Sequence, residues 1–330
     1  MKTAPSKMPG LIRPNFHWDD EALFALMRRS IAVGSLEPYG AEAVRHLIDP
    51  ENPVFVLRIP AHGYVYEQDG ELLGLSGWTE EEKPGSARIT HCYVIPEAFG
   101  TGTGYQLLGT VLDQIRKEGF ADVYLRASLN AEGFYKRFGF KRTGTHQLPI
   151  TADWSIPGAV MQAPEMNDFQ LSPGLNFIRA ARDEDADGII DLIGRCFEEY
   201  DGVYLDVENE EPILKIFGSG FKSAGGESWV LERGGAIKAC VGWTPIDGGV
   251  ELKKLYLDQD LRGQGLAEIM MDLVIDAAQK RGANRIELWS DTKFTRAHRF
   301  YEKNGFERTQ DLRALNDISD TTEYRFIRKL

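Results

Sequence analysis

The chain is predicted to fold as two successive α/β units of one plan, each a mixed, mostly antiparallel sheet flanked by helices. Three observations predict this. The 330 residues exceed one ordinary core and suit two, because domains most often hold about 100 to 150 residues. The sequence repeats itself with a period of roughly 165 residues, far too long for a solenoid repeat. Within each repeat, strand-like alternation and helix-like stripes follow each other in mixed order.

In each repeat a first strand leads into an amphipathic helix. In the first it is "WDDEALFALMRRSI"; in the second Asp183 is expected to cap it, and Ile189, Ile190, Leu192 and Ile193 form its apolar stripe. After a long connection come matching hairpins, "YVYEQDGELLGLSGW" from Tyr64 and "WVLERGGAIKACVGW" from Trp229, with turns at Gly70 and at Gly234-Gly235. Next, "ITHCYVIPEAFGTGTGYQLLGTVLDQIRKEG" and "LKKLYLDQDLRGQGLAEIMMDLVIDAAQKRG" each read as a strand, a glycine turn and a helix that closes near Gly119 or Gly282. Short strands "ADVYLRAS" and "NRIELWSD" follow. Last come "NAEGFYKRFGFKRTG" and "TRAHRFYEKNGFERTQ", which share the pattern Ala, Phe-Tyr, Gly-Phe. Domains are therefore expected at 1–162 and 177–330, with the polar, Pro- and Gly-bearing 163–176 as linker.

The glycine turn has a chemical reading. A strand that ends in a glycine turn and starts a helix exposes backbone N–H groups, and with the helix dipole they make a seat for phosphate. Gly263 and Gly265 allow close approach, Ala267 leaves room at the first helical turn, and Arg262 can reach phosphate oxygens. A nucleotide-triphosphate loop is excluded because no Gly-Lys-Ser/Thr follows. A dinucleotide fingerprint is poorly matched, since both turns lack its third glycine. A plain strand-to-helix connection is the alternative.

This combination resembles the GNAT superfamily of acyl-CoA-dependent N-acyltransferases, in tandem. The family's pyrophosphate motif, Gln/Arg-x-x-Gly-x-Gly/Ala, is matched in full by Arg262-Gly263-Gln264-Gly265-Leu266-Ala267. In the first repeat Phe99-Gly100-Thr101-Gly102-Thr103-Gly104 keeps the glycines but begins with Phe. The later pattern is carried by Ala297, Phe300, Tyr301, Gly305 and Phe306, and by Ala131, Phe134, Tyr135, Gly139 and Phe140. The resemblance implies acetyl-CoA as co-substrate, wedged between the strand that ends at Leu257 and the strand "RIELWSD". Its pyrophosphate would lie on residues 263 to 267, and more weakly on Gly100, Gly102 and Gly104. It also implies direct attack by an amine, with Tyr301 as general acid. Glu251, eleven residues before Arg262, stands where histone-type relatives place a general base. Phe300 shows that the Tyr301 position could equally pack against the cofactor arm, and Glu251 could be an outward carboxylate on a half-exposed strand. Arg88 holds the equivalent place in the first repeat and cannot accept a proton. The second repeat is therefore expected to carry the chemistry.

Other residues carry weaker readings. His298, between Arg296 and Arg299, reads as a surface histidine, although it is one turn from Tyr301. His91 could replace the missing carboxylate of the first repeat. Trp78 and Trp243 read as core. The acceptor pocket is expected at 28–52 and 197–225, and the acidic run "DVENEEP" from Asp206 leans towards a cationic acceptor, small molecule or peptide, although charge runs usually face solvent. A net charge of −12 argues against nucleic-acid binding. No window approaches the roughly 20 apolar residues of a membrane span, the N-terminus has no apolar leader, and three scattered cysteines suit a reducing cytoplasm. No metal site is read, and a monomer or homodimer is expected. The rival readings are a noncatalytic acyl-CoA sensor and a tRNA-dependent aminoacyl transferase of the same fold.

Overall fold

The computed structural model describes residues 10–164, 169–315 and 318–330; residues 165–168 of the expected linker lie outside these. The chain divides into two compact units, Met1–Leu175 and Asn176–Leu330.

The first unit runs β1 (Leu11–Pro14), α1 (Asp20–Gly34), α2 (Leu36–Ile48), β2 (His62–Gln68), β3 (Glu71–Glu80), β4 (Ser86–Val94), α3 (Thr103–Lys117), β5 (Asp122–Ser128), α4 (Glu132–Arg137), β6 (Lys141–Pro149) and β7 (Ser155–Gln162). The second runs β8 (Asn176–Ala180), α5 (Ala186–Phe197), α6 (Phe217–Ser223), β9 (Glu227–Arg233), β10 (Ala236–Ile246), β11 (Gly249–Leu257), α7 (Leu266–Lys280), β12 (Arg285–Asp291), α8 (Thr295–Lys303), β13 (Glu307–Ala314) and β14 (Thr322–Lys329). Strand order is the same in both: β1-β2-β3-β4-β5-β7-β6 and β8-β9-β10-β11-β12-β14-β13. Every pairing within a unit is antiparallel except β4 with β5 and β11 with β12. The expected fold class is what forms.

The two hairpins form as the sequence predicts, and Trp78 and Trp243 are 1% and 3% exposed, inside their cores. Helices α3 and α7 end just before Gly119 and Gly282, both in the left-handed region, which glycine enters at no steric cost. One expected cap is corrected. Asp183 does not cap α5; its carboxylate accepts the amide and hydroxyl of Ser219 at 2.8 and 2.6 Å. The residue that fixes the helix entry is Asp185, which accepts the Arg182 amide at 2.8 Å and two bonds from Arg179.

The pairing of β11 with β12 positions the site. It covers only Val250 with Ile286 and Glu251 with Glu287; beyond Glu251 the two strands part. In the first unit the matching pair holds together through Ile89 and Leu125, one residue further along. Parallel strands that diverge leave backbone groups unpaired and open a wedge between them.

Candidate functional site

The site is assembled where β11 parts from β12. A cavity of about 950 Å³ opens there, walled by β11 from Glu251 to Leu257, by Leu288 to Asp291 of β12, by the glycine turn, by α8, and by the segment from Cys196 to Ala224. Seven of the nine catalytic and cofactor residues expected in the second repeat line it: Glu251, Leu257, Arg262, Gly263, Gly265, Ala267 and Tyr301. Gln264 and Leu266 do not. The Gln264 amide nitrogen donates back to the Asp260 carbonyl at 2.9 Å, and Leu266 is core at 3% exposure.

At one end lies the glycine turn. Gly263 and Gly265 have φ of 73° and 75°, and a Cβ on either would meet nothing within 4 Å. Their requirement is therefore backbone handedness rather than space. No side chain caps α7, so its first-turn amides, which have no acceptor within the helix, point at the cavity's end. Arg262 is directed differently from the expected phosphate contact. Its guanidinium donates to Glu199 at 2.7 and 2.5 Å and to the Leu257 carbonyl at 3.2 Å, and Arg296 donates to the same Glu199 at 2.6 Å. Three charge-assisted bonds hold Glu199 below the usual carboxylate range, with Arg262 the largest influence. The side chain of Arg262 thus ties the turn to the end of α5, and no side-chain cap engages the first-turn amides of α7.

At the centre stands Tyr301, buried at 7% exposure among Phe300, Phe306 and Phe326. Burial pushes its phenol well above the ordinary tyrosine range, so it stays protonated at neutral pH. Among the described residues nothing is hydrogen-bonded to its hydroxyl. Tyr135, its counterpart, is also buried, but its hydroxyl bonds the Cys92 thiol; the second repeat has Leu255 at that position.

At the far end are charged pairs. Glu251 faces Lys253, Oε2 to Nζ 3.0 Å. Lys254 pairs with Glu211, which precedes a short 3₁₀ turn at Pro212–Ile216. Lys254 is also a non-glycine residue at positive φ, 57°. It lies in a β-bulge, where the register with β10 jumps from Cys240 opposite Tyr256 to Gly242 opposite Lys253. Sequence reasoning missed Glu199, Arg296, Glu211 and the bulge. The bulge had a signal: in "VELKKLYL" the apolar phase changes from Val250 and Leu252 to Leu255 and Leu257 across the lysine doublet.

His298 is corrected from a surface residue: it is 8% exposed, its Nε2 bonds the Asp291 carbonyl at 2.9 Å, and it packs on Tyr324 and Phe326. Helical spacing puts it on the inward face that it shares with Tyr301. Both ring nitrogens of His91 are engaged, with Thr90 at 2.7 Å and the Arg58 carbonyl at 2.8 Å. Arg88 pairs with Glu81. The acidic run is largely consumed internally: Asp206 accepts the amides of Glu208 and Asn209, Glu208 pairs with Lys215, and Glu210 accepts the Ile318 amide. Among the described residues no group of three or more His, Cys, Asp or Glu could hold a metal ion, and no helix is long and apolar enough to cross a membrane.

Residues 187–306 match the acetyltransferase (GNAT) family and residues 37–149 match an acetyltransferase (GNAT) domain. An uncharacterised N-acetyltransferase of Methanocaldococcus jannaschii is 35% identical over 57 residues, 17% of this chain and 25% of that protein. One from Mycobacterium tuberculosis is 44% identical over 61 residues, 18% and 39% of the two chains. A probable N-acetyltransferase of family 8 from Mus musculus is 27% identical over 124 residues, 36% and 52%. The chain thus spans between a quarter and about half of the length of these relatives. Among solved structures, a GNAT acetyltransferase of Staphylococcus aureus covers 47% of this chain with 99% of its own, at 21% identity and a TM-score of 0.41. The PaiA N-acetyltransferase of Thermoplasma acidophilum in complex with coenzyme A gives 47% and 99%, at 18% identity and a TM-score of 0.38. With one match in each half, the chain belongs to the GNAT family of acetyltransferases as a tandem pair of its domains.

Proposed function

We propose that the chain is an N-acetyltransferase that moves an acetyl group from acetyl-CoA to a primary amine, and that its second repeat carries the reaction. The observation that supports this most is one continuous cavity joining an uncapped glycine turn to a protonated, unpartnered tyrosine. The amides of residues 263 to 267 suit a pyrophosphate, and the open stretch of β11 before Leu257 suits an extended thioester arm.

Transfer by direct attack fits the site better than an acyl-enzyme. Cys196 is the one thiol on the cavity wall, and burial pushes its pKa up, which keeps it a thiol and a poor nucleophile. Tyr301, also raised by burial, is a weaker acid than an ordinary thiol near 8.5. Its contribution is therefore hydrogen-bond donation to the departing sulfur as negative charge develops there. Two carboxylates, Glu251 and Glu211, stand on the acceptor side and could take the amine's proton.

The test is thiol release from acetyl-CoA over a panel of primary amines, with the full chain and with Tyr301→Phe. We expect turnover to fall by about a hundred- to a thousandfold, the range for losing one hydrogen-bond donor to developing charge, while acetyl-CoA affinity stays near the parent value. An equal loss of affinity would make Tyr301 a packing residue. Acetyl-CoA binding without thiol release to any amine would favour the sensor reading.

A further inference from the structure

The Glu211–Lys254 pair lies in the cavity without an obvious structural need. Lys254 holds a backbone conformation that costs a residue with a side chain on the order of 1 kcal/mol or more, and the bulge aims its ammonium at a carboxylate from a different part of the chain. The two side chains are 19% and 27% exposed, neither freely solvated nor sealed. Around them the wall is apolar, with Leu205, Ile213, Phe221 and Tyr256. A primary ammonium group resting on a carboxylate between apolar and aromatic walls is the arrangement that an acceptor amine would itself adopt.

Resting on the acetyltransferase reading, we infer that Glu211 is the seat of the acceptor's ammonium group and takes its proton, and that Lys254 fills this seat until an acceptor displaces it. Position along β11 favours Glu211 over Glu251. Glu251 lies five residues before Tyr256, on the order of 15 Å at strand rise, whereas Lys254 lies two residues before it, about 7 Å. Tyr256 is the link to the reacting centre. Glu211, Tyr256 and Tyr301 wall the same cavity, and after burial the Tyr256 phenol is held up by the charge of Glu211 and then by Tyr301. Glu251, by contrast, sits where β11 still pairs with β12, beside Lys253 and register-paired with Glu287.

The acceptor ammonium gives one proton to Glu211, the freed nitrogen forms the N–C bond to the acetyl carbonyl, and the C–S bond breaks. The second nitrogen proton goes to the departing thiolate, which Tyr301 stabilises, and Glu211 returns its proton to solvent. The acceptor class is a primary amine, and Leu205, Ile213 and Phe221 on the same wall suit an apolar or aromatic body.

The experiment uses phenethylamine and hexylamine with acetyl-CoA on the full chain, comparing Glu211→Gln, Glu251→Gln and Lys254→Met, with calorimetric binding of each amine alongside. Glu211→Gln should lower kcat/KM for the amine by about a hundredfold or more, at least tenfold beyond the loss in Glu251→Gln, with acetyl-CoA affinity kept. Lys254→Met, which removes the resident cation, should lower the amine's KM severalfold. A larger loss in Glu251→Gln than in Glu211→Gln overturns the assignment. If no amine is turned over, the assignment stands or falls on binding: amine affinity equal in the parent and Glu211→Gln overturns it. Failure of the acetyltransferase reading shows separately, as absence of acetyl-CoA binding or as acetyl-CoA binding without thiol release to any amine.

Discussion

Arg179 is 5% exposed, and burying a guanidinium is costly unless every donor is answered. It is answered by Asp185 in a two-pronged contact, 2.7 Å on both arms, and by Glu232 at 3.1 Å. The first repeat builds the same triad from Arg13, Asp19 and Glu67, with Arg13 again 5% exposed. Each joins the unit's first strand to the entry of its first helix, because Asp19 and Asp185 also accept the amides of Phe16 and Arg182 at 2.8 Å. Removing one partner strands a buried charge, so Asp185→Ala should cost about 3 to 5 kcal/mol, whereas Glu208→Ala, at an exposed pair, should change stability little. Urea unfolding of both variants checks this. Burial alone would raise the Asp185 carboxyl, but Arg179 outweighs it and holds it below the ordinary aspartate value. A depressed carboxylate contributes stability that is present above the unfolded-state value and lost as pH falls through the folded one. The difference between parent and Asp185→Ala should therefore be full at neutral pH and shrink only below the ordinary aspartate range.

Single elements show why some of this was legible in the sequence and some was not. The hairpins, glycine turns and α3 and α7 were legible because local chemistry dictates them: positive φ needs glycine, and an alternating run beside a turn needs a strand. The triads were not, since a lone Arg followed six residues later by Asp carries no periodicity, and Glu67 and Glu232 join only after the sheet forms. His298 was misread because its neighbours Arg296 and Arg299 are charged, whereas the i to i+3 relation to a buried Tyr301 fixes its face. Glu211 was hidden in an acidic run whose other carboxylates are engaged by the loop's own amides, by Lys215 and by the Ile318 amide. The glycine turn yields its own prediction. Gly265 is the N-cap of α7 at φ 75°, with open space around it, and Asn and Asp tolerate left-handed backbone and cap helices about equally well. Gly265→Asn and Gly265→Asp should thus fold alike, but only Asp sets a negative charge beside the phosphate seat. Two like charges about 4 Å apart repel by about 4 kcal/mol at a near-surface dielectric. Acetyl-CoA affinity should fall by about a hundredfold or more in Asp relative to Asn, and equal affinities in two folded variants would remove the pyrophosphate from this turn.

Across the whole molecule the two repeats share strand order, triad and glycine geometry yet differ at each feature that matters for chemistry. Gly100 and Gly102 keep φ of 77° and 94°, so the first turn could still present amides. Around it, however, a Cβ on Gly104 would lie 3.3 Å from Val94 and 3.5 Å from Phe134, and Phe134, Phe138 and Tyr105 pack ring on ring. The corresponding residues of the second repeat, Leu257, Ala267 and Phe300, instead line the cavity. Strands β4 and β5 also stay paired one residue longer, and the hydroxyl of Tyr135 is committed to Cys92, whose thiol burial raises to about 12. Ring packing of this kind crowds the place beside the first glycine turn where a thioester arm would lie. Calorimetric titration should accordingly count one acetyl-CoA per chain, that one site should vanish in Gly265→Asp, and Tyr135→Phe should keep turnover within about threefold, since it breaks only a thiol hydrogen bond. Two equivalent sites, or loss of activity in Tyr135→Phe with Tyr301→Phe still active, would place the chemistry in the first repeat instead.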